Sequence, residues 1–221
     1  MKLSSRIYPK LTSKPPKRKI DQYRVSVQLS TLCMSPIEKP SSTRAITVAS
    51  VAMMGGHGER TPVDDRHVRG GFHNLSLRHT RAEMIRAVFE GVAYNSRWLL
   101  RYVERFVGRR LDNIRMVGGG ANSAVWCQIH ADVLDRTIRQ VQDPVQANVR
   151  GIALLAGVAC GNITVEQIGD VAIANTYHPN PANRAIYDEL FAAYEAIYKK
   201  NNGIYRRLNG CLLYTSDAAD E

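Results

Sequence analysis

The residues whose types and spacing could do chemistry are Gly118, Gly119, Gly120, Ala121, Asn122 and Ser123. Consecutive glycines permit positive φ in a tight turn, and they remove the Cβ atoms that would hold a ligand off the backbone. The preceding run, Asn113–Val117, reads as a strand and the following one as a helix. The turn therefore stands where a strand hands over to a helix N-terminus, whose free N–H groups and positive end favour an anion or a polar ligand edge. A tight connection with no ligand is the alternative. Ligand contact is favoured at Gly119 and Gly120, whereas Ser123 suits a helix cap, a ligand contact or both.

Spacing narrows the ligand. Gly118-x-Gly120-x-x-Ser123 is an imperfect dinucleotide fingerprint with Ser in its third slot, and Asp143 follows about twenty residues on, as that motif wants. Such a fingerprint usually opens its domain, but here a long helical pattern precedes it. No GxxxxGK[ST] phosphate loop is present. Cys33, Cys127, Cys160 and Cys211 form no CxxC pair, and the histidines show no ligand spacing, so no metal site built from protein side chains is expected. Cys127 and Cys160 fall in apolar helical patterns, where buried free thiols are common.

The elements that must position this turn are legible around it. Thr80-Arg81-Ala82-Glu83 has capping-box spacing, Ile85, Val88, Phe89, Val92, Leu99, Tyr102, Val103 and Phe106 recur at helical intervals, and Gly108 suits a C-cap, predicting a helix over 80–107. Its Arg86 and Glu90 read as a solvated pair worth roughly a few tenths of a kcal/mol. A second helix runs from Asn122 or Ser123 to about Leu134, with Trp126 read as core in preference to a stacking platform. Thr137–Val141 alternates as a strand, and Asp143-Pro144 prepares a third helix over about 147–160. The Ile152–Ala156 run of that helix suits tight packing, and its Gly151 fits either helix packing or approach to a ligand. Thr164–Gln167 offers another capping box, and Asn180-Pro181 opens a last helix carrying Ile186, Leu190, Phe191, Tyr194, Ile197 and Tyr198. Asp64 and Asp65 read as loop residues. Helices alternating with strands define an α/β layer architecture, whose ligands gather at the carboxyl ends of strands.

Composition excludes other classes. Net charge is +10, but residues 1–50 hold ten Lys/Arg against two Asp/Glu, so the excess belongs to a Ser/Pro/Lys-rich leader and not to a basic folded face. A nucleic-acid partner is therefore not expected. No stretch approaches the roughly 18 apolar residues of a membrane span, and the default compartment is the cytoplasm. Residues 1–57 read as a disordered or out-of-frame leader with one alternating piece near Val25, Val27 and Leu29, and residues 210–221 as a non-native tail. From Cys211 on, the tail resembles a translated sequencing adapter.

The run Met116–Leu134 resembles the GGGAxSxxWxQxxADxL segment of the FGGY carbohydrate kinases. Gly58-Glu59-Arg60-Thr61-Pro62, Gly70-Gly71-Phe72 through Glu90, Arg150–Gly157 and Tyr205–Asn209 extend the resemblance over about 58–209, with Asn74 standing where the family signature has Gly. The GERTP and GGGAxSxxW variants resemble xylulokinase-like members more than glycerol kinases.

The resemblance implies an actin-like ATPase (ribonuclease H-like) α/β fold, incomplete at its N-terminal strands, of which this chain is the C-terminal, nucleotide-binding domain. It implies ATP held at Gly118–Ser123 with Mg²⁺, a sugar substrate with a pentulose such as xylulose preferred, and a missing N-terminal kinase domain as partner. A homodimer is a further option. The catalytic Asp is expected in the missing upstream segment, so none is assigned and the chain alone is expected to be inactive. A glycerol or other polyol kinase, and a nicotinamide-dependent dehydrogenase domain, are the alternative readings.

Overall fold

The structure, a computed structural model, describes residues 61–210 together with two short strands, β1 (Ser26–Gln28) and β2 (Ile46–Val48). Element order is then β3 (Gly71–His73), α1 (Arg81–Val107), β4 (Asn113–Val117), α2 (Ala124–Leu134), β5 (Thr137–Val141), α3 (Ala147–Ala159), β6 (Ile173–Tyr177) and α4 (Arg184–Asn209). The strands order β1-β4-β5-β6, with the first two pairings parallel and the last antiparallel. A separate antiparallel pair joins β2 to β3.

Helix ends follow local chemistry. The Thr80 side chain accepts from the Glu83 amide at 3.3 Å while the Glu83 carboxylate accepts from the Thr80 amide at 2.7 Å, closing the capping box of α1. Gly108 ends the helix in the left-handed conformation at φ 71°. The capping box at Thr164 is also present, over a single 3₁₀ turn. Asn180-Pro181 opens a 3₁₀ turn that leads into α4, whose inward face carries Tyr187, Leu190, Phe191 and Tyr194.

The core lies between the sheet and a layer made of α1, α2 and α4. Alternation puts Ile114 and Met116 of β4 and Ile138 of β5 inward, where they meet Ile129 and Val133 of α2. Aromatic rings join the helices: Tyr94 of α1 lies 5.6 Å from Tyr194 of α4, and Trp98 meets Tyr194 edge-on at 6.2 Å. Such pairs add about 0.5–1.5 kcal/mol each beyond the area they bury. The loop before β3 is tied down by Asp65, buried and accepting from Tyr198 and Asn202 of α4 at 3.1 Å each. Asp65 is thus an anchor, while Asp64 takes a positive φ of 43° beside it.

Four expectations are corrected. Arg86 and Glu90 are not solvated: α4 covers them, and both meet the Tyr187 hydroxyl at 3.0 Å. Helix α3 does not pack tightly, for none of its residues is buried and Ile152 and Leu155 are each 69% exposed. Its apolar run is genuine, but no described element lies over it. Among the described residues a Cβ at Gly151 would meet nothing within 4 Å, so their packing does not require that glycine. Cys160, at the end of the same helix, is exposed for the same reason. Strands β3 and β6 were not foreseen. Upstream of the boundary expected at residue 58, β1 and β2 pair with β4 and β3; the rest of 1–57 and residues 211–221 lie outside the described residues. Among the described residues, no helix is long and apolar enough to cross a membrane.

Candidate functional site

The glycine turn leaves the carboxyl end of β4 and enters α2. Gly118 takes φ 88° and ψ 177°, a backbone conformation that L side chains rarely adopt. Gly119–Asn122 then form one 3₁₀ turn, closed by the Ala121 amide on the Gly118 carbonyl at 3.1 Å and the Ser123 amide on the Gly120 carbonyl at 3.2 Å. Gly118, Gly119 and Ser123 are half-buried, Asn122 is exposed, and Gly120 and Ala121 are buried. The six residues expected to form a site are therefore brought together, but they divide by role. The surface a ligand would meet is Gly118, Gly119 and Asn122.

Gly120 is a glycine for an internal reason. A Cβ built on it would fall 2.3 Å from Cζ3 of Trp126. The Trp126 ring stacks on Phe89 of α1 with centroids 5.0 Å apart and a 20° interplanar angle, and its indole N–H donates to the Phe89 carbonyl at 3.2 Å. Trp126 is core. Ser123 caps α2, its hydroxyl accepting from the Trp126 amide at 3.3 Å.

Three tethers hold the turn, and none of them shows as a local sequence pattern. The Gly118 amide donates to the Pro144 carbonyl at 2.8 Å, tying the turn to the segment that opens α3. The Gln140 side chain of β5 donates to the Ala121 carbonyl at 2.6 Å. Its own oxygen accepts from Asn175 at 2.8 Å and from the Tyr177 hydroxyl at 3.1 Å, both on β6. The Cys127 thiol also reaches the Ala121 carbonyl at 3.5 Å, and burial pushes that thiol up to about 12, so it stays a neutral donor. One signal could have found Gln140: period 2 puts it on the same strand face as buried Ile138, and an amide on such a face needs partners.

Beyond the turn, the titrating groups serve packing. His130 of α2 is fully enclosed; its Nδ1–H donates to the Trp126 carbonyl at 2.9 Å and its Nε2 has no partner among the described residues. Burial holds it neutral, down at about 4, although the backbone hydrogen bond opposes that shift. Burial also raises Glu90, against the opposing pull of Arg86. Among the described residues there is no group of three or more His, Cys, Asp or Glu side chains able to hold a metal ion.

The sheet is not that of a dinucleotide-binding domain. Its edge strand β6 runs antiparallel, α1 precedes the glycine strand, and Ser123 in the third glycine slot is occupied as a helix cap. The dehydrogenase reading is dropped on that geometry.

Comparison with known proteins agrees. Residues 39–160 match the model for the FGGY family of carbohydrate kinases, C-terminal domain, a match that begins upstream of residue 58. The chain is 31% identical over 175 residues to a xylulose kinase of Staphylococcus epidermidis, covering 74% of this chain and 35% of that protein. It is 31% identical over 125 residues to a gluconokinase of Bacillus subtilis, covering 56% and 24%. Among solved structures it resembles ligand-bound xylulose kinase from Lactobacillus acidophilus at a TM-score of 0.60 and 25% identity, covering 75% of this chain and 33% of that one. The chain spans about a third of the length of the xylulose kinase relatives it matches. The fold is the actin-like ATPase α/β fold of these sugar kinases.

Proposed function

The chain belongs to the FGGY family of carbohydrate kinases, and from that membership we propose that it is the nucleotide-binding part of an ATP-dependent sugar kinase. The observation that carries the reading is the glycine turn: Gly118 and Gly119 lie half-exposed at the end of β4, with Asn122 open to solvent before the N-terminus of α2. Backbone without Cβ atoms at a strand's carboxyl end suits the flat adenine–ribose portion of ATP. We assign this domain to residues 58–209, extended upstream by β2 and by the family match from residue 39.

The sugar is proposed to be a pentulose such as xylulose, supported by the xylulose kinases among the relatives. A gluconokinase matches at the same identity as the first of them, so a sugar acid is the rival. The catalytic carboxylate and most sugar contacts are assigned to the remainder of the kinase. Magnesium would accompany the phosphates there, and no residue described here is given to it.

Calorimetric titration of the chain with ATP should show saturable binding, and a coupled assay for ADP release should show none with xylulose, gluconate or glycerol. No ATP binding at millimolar concentration would remove the nucleotide reading. Sugar-dependent turnover by the isolated chain would instead show that it carries its own catalytic base.

A further inference from the structure

Ala121 is fully buried, yet its carbonyl stands at the centre of the glycine turn and needs a donor. Its strong donor is the Gln140 amide at 2.6 Å, with the weaker Cys127 thiol at 3.5 Å beside it. A free glutamine could present either end of its amide to that carbonyl. Here Asn175 Nδ2 and the Tyr177 hydroxyl both donate to Gln140 Oε1, which leaves only Nε2 facing the turn. Gln140 is itself buried, so a wrong orientation would set its amide oxygen against the Ala121 carbonyl out of reach of water, with only the weak Cys127 thiol left to donate there.

We propose that Gln140 is a positioning residue for the nucleotide, its amide locked by β6 and holding the Ala121 carbonyl so that the glycine turn keeps the shape that meets ATP. This rests on the nucleotide reading above. Gln140 does not touch the ligand; it acts through Ala121, and Asn175 and Tyr177 act through Gln140. Strand β6, at the far edge of the sheet, is thereby coupled to affinity at the end of β4.

The test uses the full chain, with two readouts: hydrogen exchange at the Ala121 and Ser123 amides without nucleotide, and ATP affinity by calorimetry. Gln140→Leu should speed exchange at those two amides at least ten-fold, leave Val92 and Ala93 of α1 within two-fold, and weaken ATP at least five-fold. Gln140→Glu is the sharper variant. At pH 8 the introduced carboxylate has no proton for the Ala121 carbonyl and should behave as the leucine variant does. At pH 5 the protonated acid can donate, and affinity should return to within two-fold of the wild type measured at that pH. A role in stability alone would not produce such a pH-dependent rescue. Unchanged exchange at the turn, exchange rising equally in α1, or a glutamate variant that still binds ATP weakly at pH 5 would each overturn the proposal; one that binds as wild type at both pH values keeps its proton in the buried site and supports it. Should both variants fail to fold, Asn175→Ala decides: two- to five-fold weaker ATP at unchanged melting temperature supports it, and unchanged affinity overturns it. A wild-type chain that takes no ATP sinks the nucleotide reading and this proposal with it. Wild-type binding with unaltered affinity in all three variants sinks this proposal alone.

Discussion

The Trp126 ring occupies the place where Gly120 would carry a side chain, with Cζ3 2.3 Å and Cε3 2.7 Å from the missing Cβ. One glycine of the turn is therefore paid for by packing, while Gly118 is required by its positive φ. What looked like a single ligand motif is a composite: a strained entry residue, a packed interior residue, and a half-exposed Gly119 between them.

Gly120→Ala should consequently destabilise the fold by about 1–3 kcal/mol, the usual range for overpacking a filled site. Trp126 cannot retreat freely, because its other face lies on Phe89 and its N–H is bonded to the Phe89 carbonyl. Urea unfolding checks this. Adding Trp126→Leu should recover part of the loss relative to the sum of the two single variants. Strict additivity would show that the ring is not what excludes the methyl group.

The buried triad of Arg86, Glu90 and Tyr187 predicts an asymmetry. Arg86 Nε donates to Glu90 at 2.8 Å, and both side chains share the Tyr187 hydroxyl. Arg86→Met leaves a buried carboxylate without its cation and should cost about 3–5 kcal/mol. Tyr187→Phe removes one hydroxyl from a pair that stays intact and should cost about 1 kcal/mol. Equal losses for the two variants in chemical denaturation would mean that the ion pair is solvated after all.

The ends of α1 were legible because Thr80, Glu83 and Gly108 act locally, each satisfying backbone groups within one turn. The burial of Arg86 and Glu90 was not. An i,i+4 pair has the same spacing in water as under a covering helix, and the cover comes from Tyr187, 101 residues from Arg86. Strand β6 was missed for a related reason: it is an edge strand with an exposed Ala174–Thr176 centre, so it lacks the alternation of a half-buried strand. The glycine turn was found, but its tethers were not, since Gln140, Asn175 and Tyr177 meet only after β5 and β6 pair.

Helix α3 gives a prediction of the opposite kind. Val149, Ile152 and Leu155 share one side of the helix and are 64%, 69% and 69% exposed. Replacing Ile152 and Leu155 with Lys should change stability by no more than about 0.5 kcal/mol each, as exposed substitutions do. A loss above about 2 kcal/mol in thermal or urea unfolding would place this stripe in a packed interface in solution.

His130 contributes a pH dependence of stability between about 6.5 and 4. Its Nδ1–H is held by the Trp126 carbonyl, its Nε2 is buried and bare, and burial brings it down to about 4 from 6.5. In the unfolded chain the imidazole takes a proton near 6.5, so between about 6.5 and 4 the unfolded state binds more protons than the folded one. Stability from this group is therefore fully present above 6.5 and lost as pH falls toward 4, by an amount on the order of 3 kcal/mol. His130→Leu, close in volume, should flatten that part of the profile. The Trp126 carbonyl loses little, because the helix ladder of α2 supplies it with an amide. Denaturation midpoints at pH 7.5, 6, 5 and about 4.5 for both proteins provide the check. A leucine variant whose midpoints follow the same slope as the wild type over this range would mean that His130 is reached by water and free to charge within the fold; the comparison between the two proteins removes the opposing contribution of the raised Glu90.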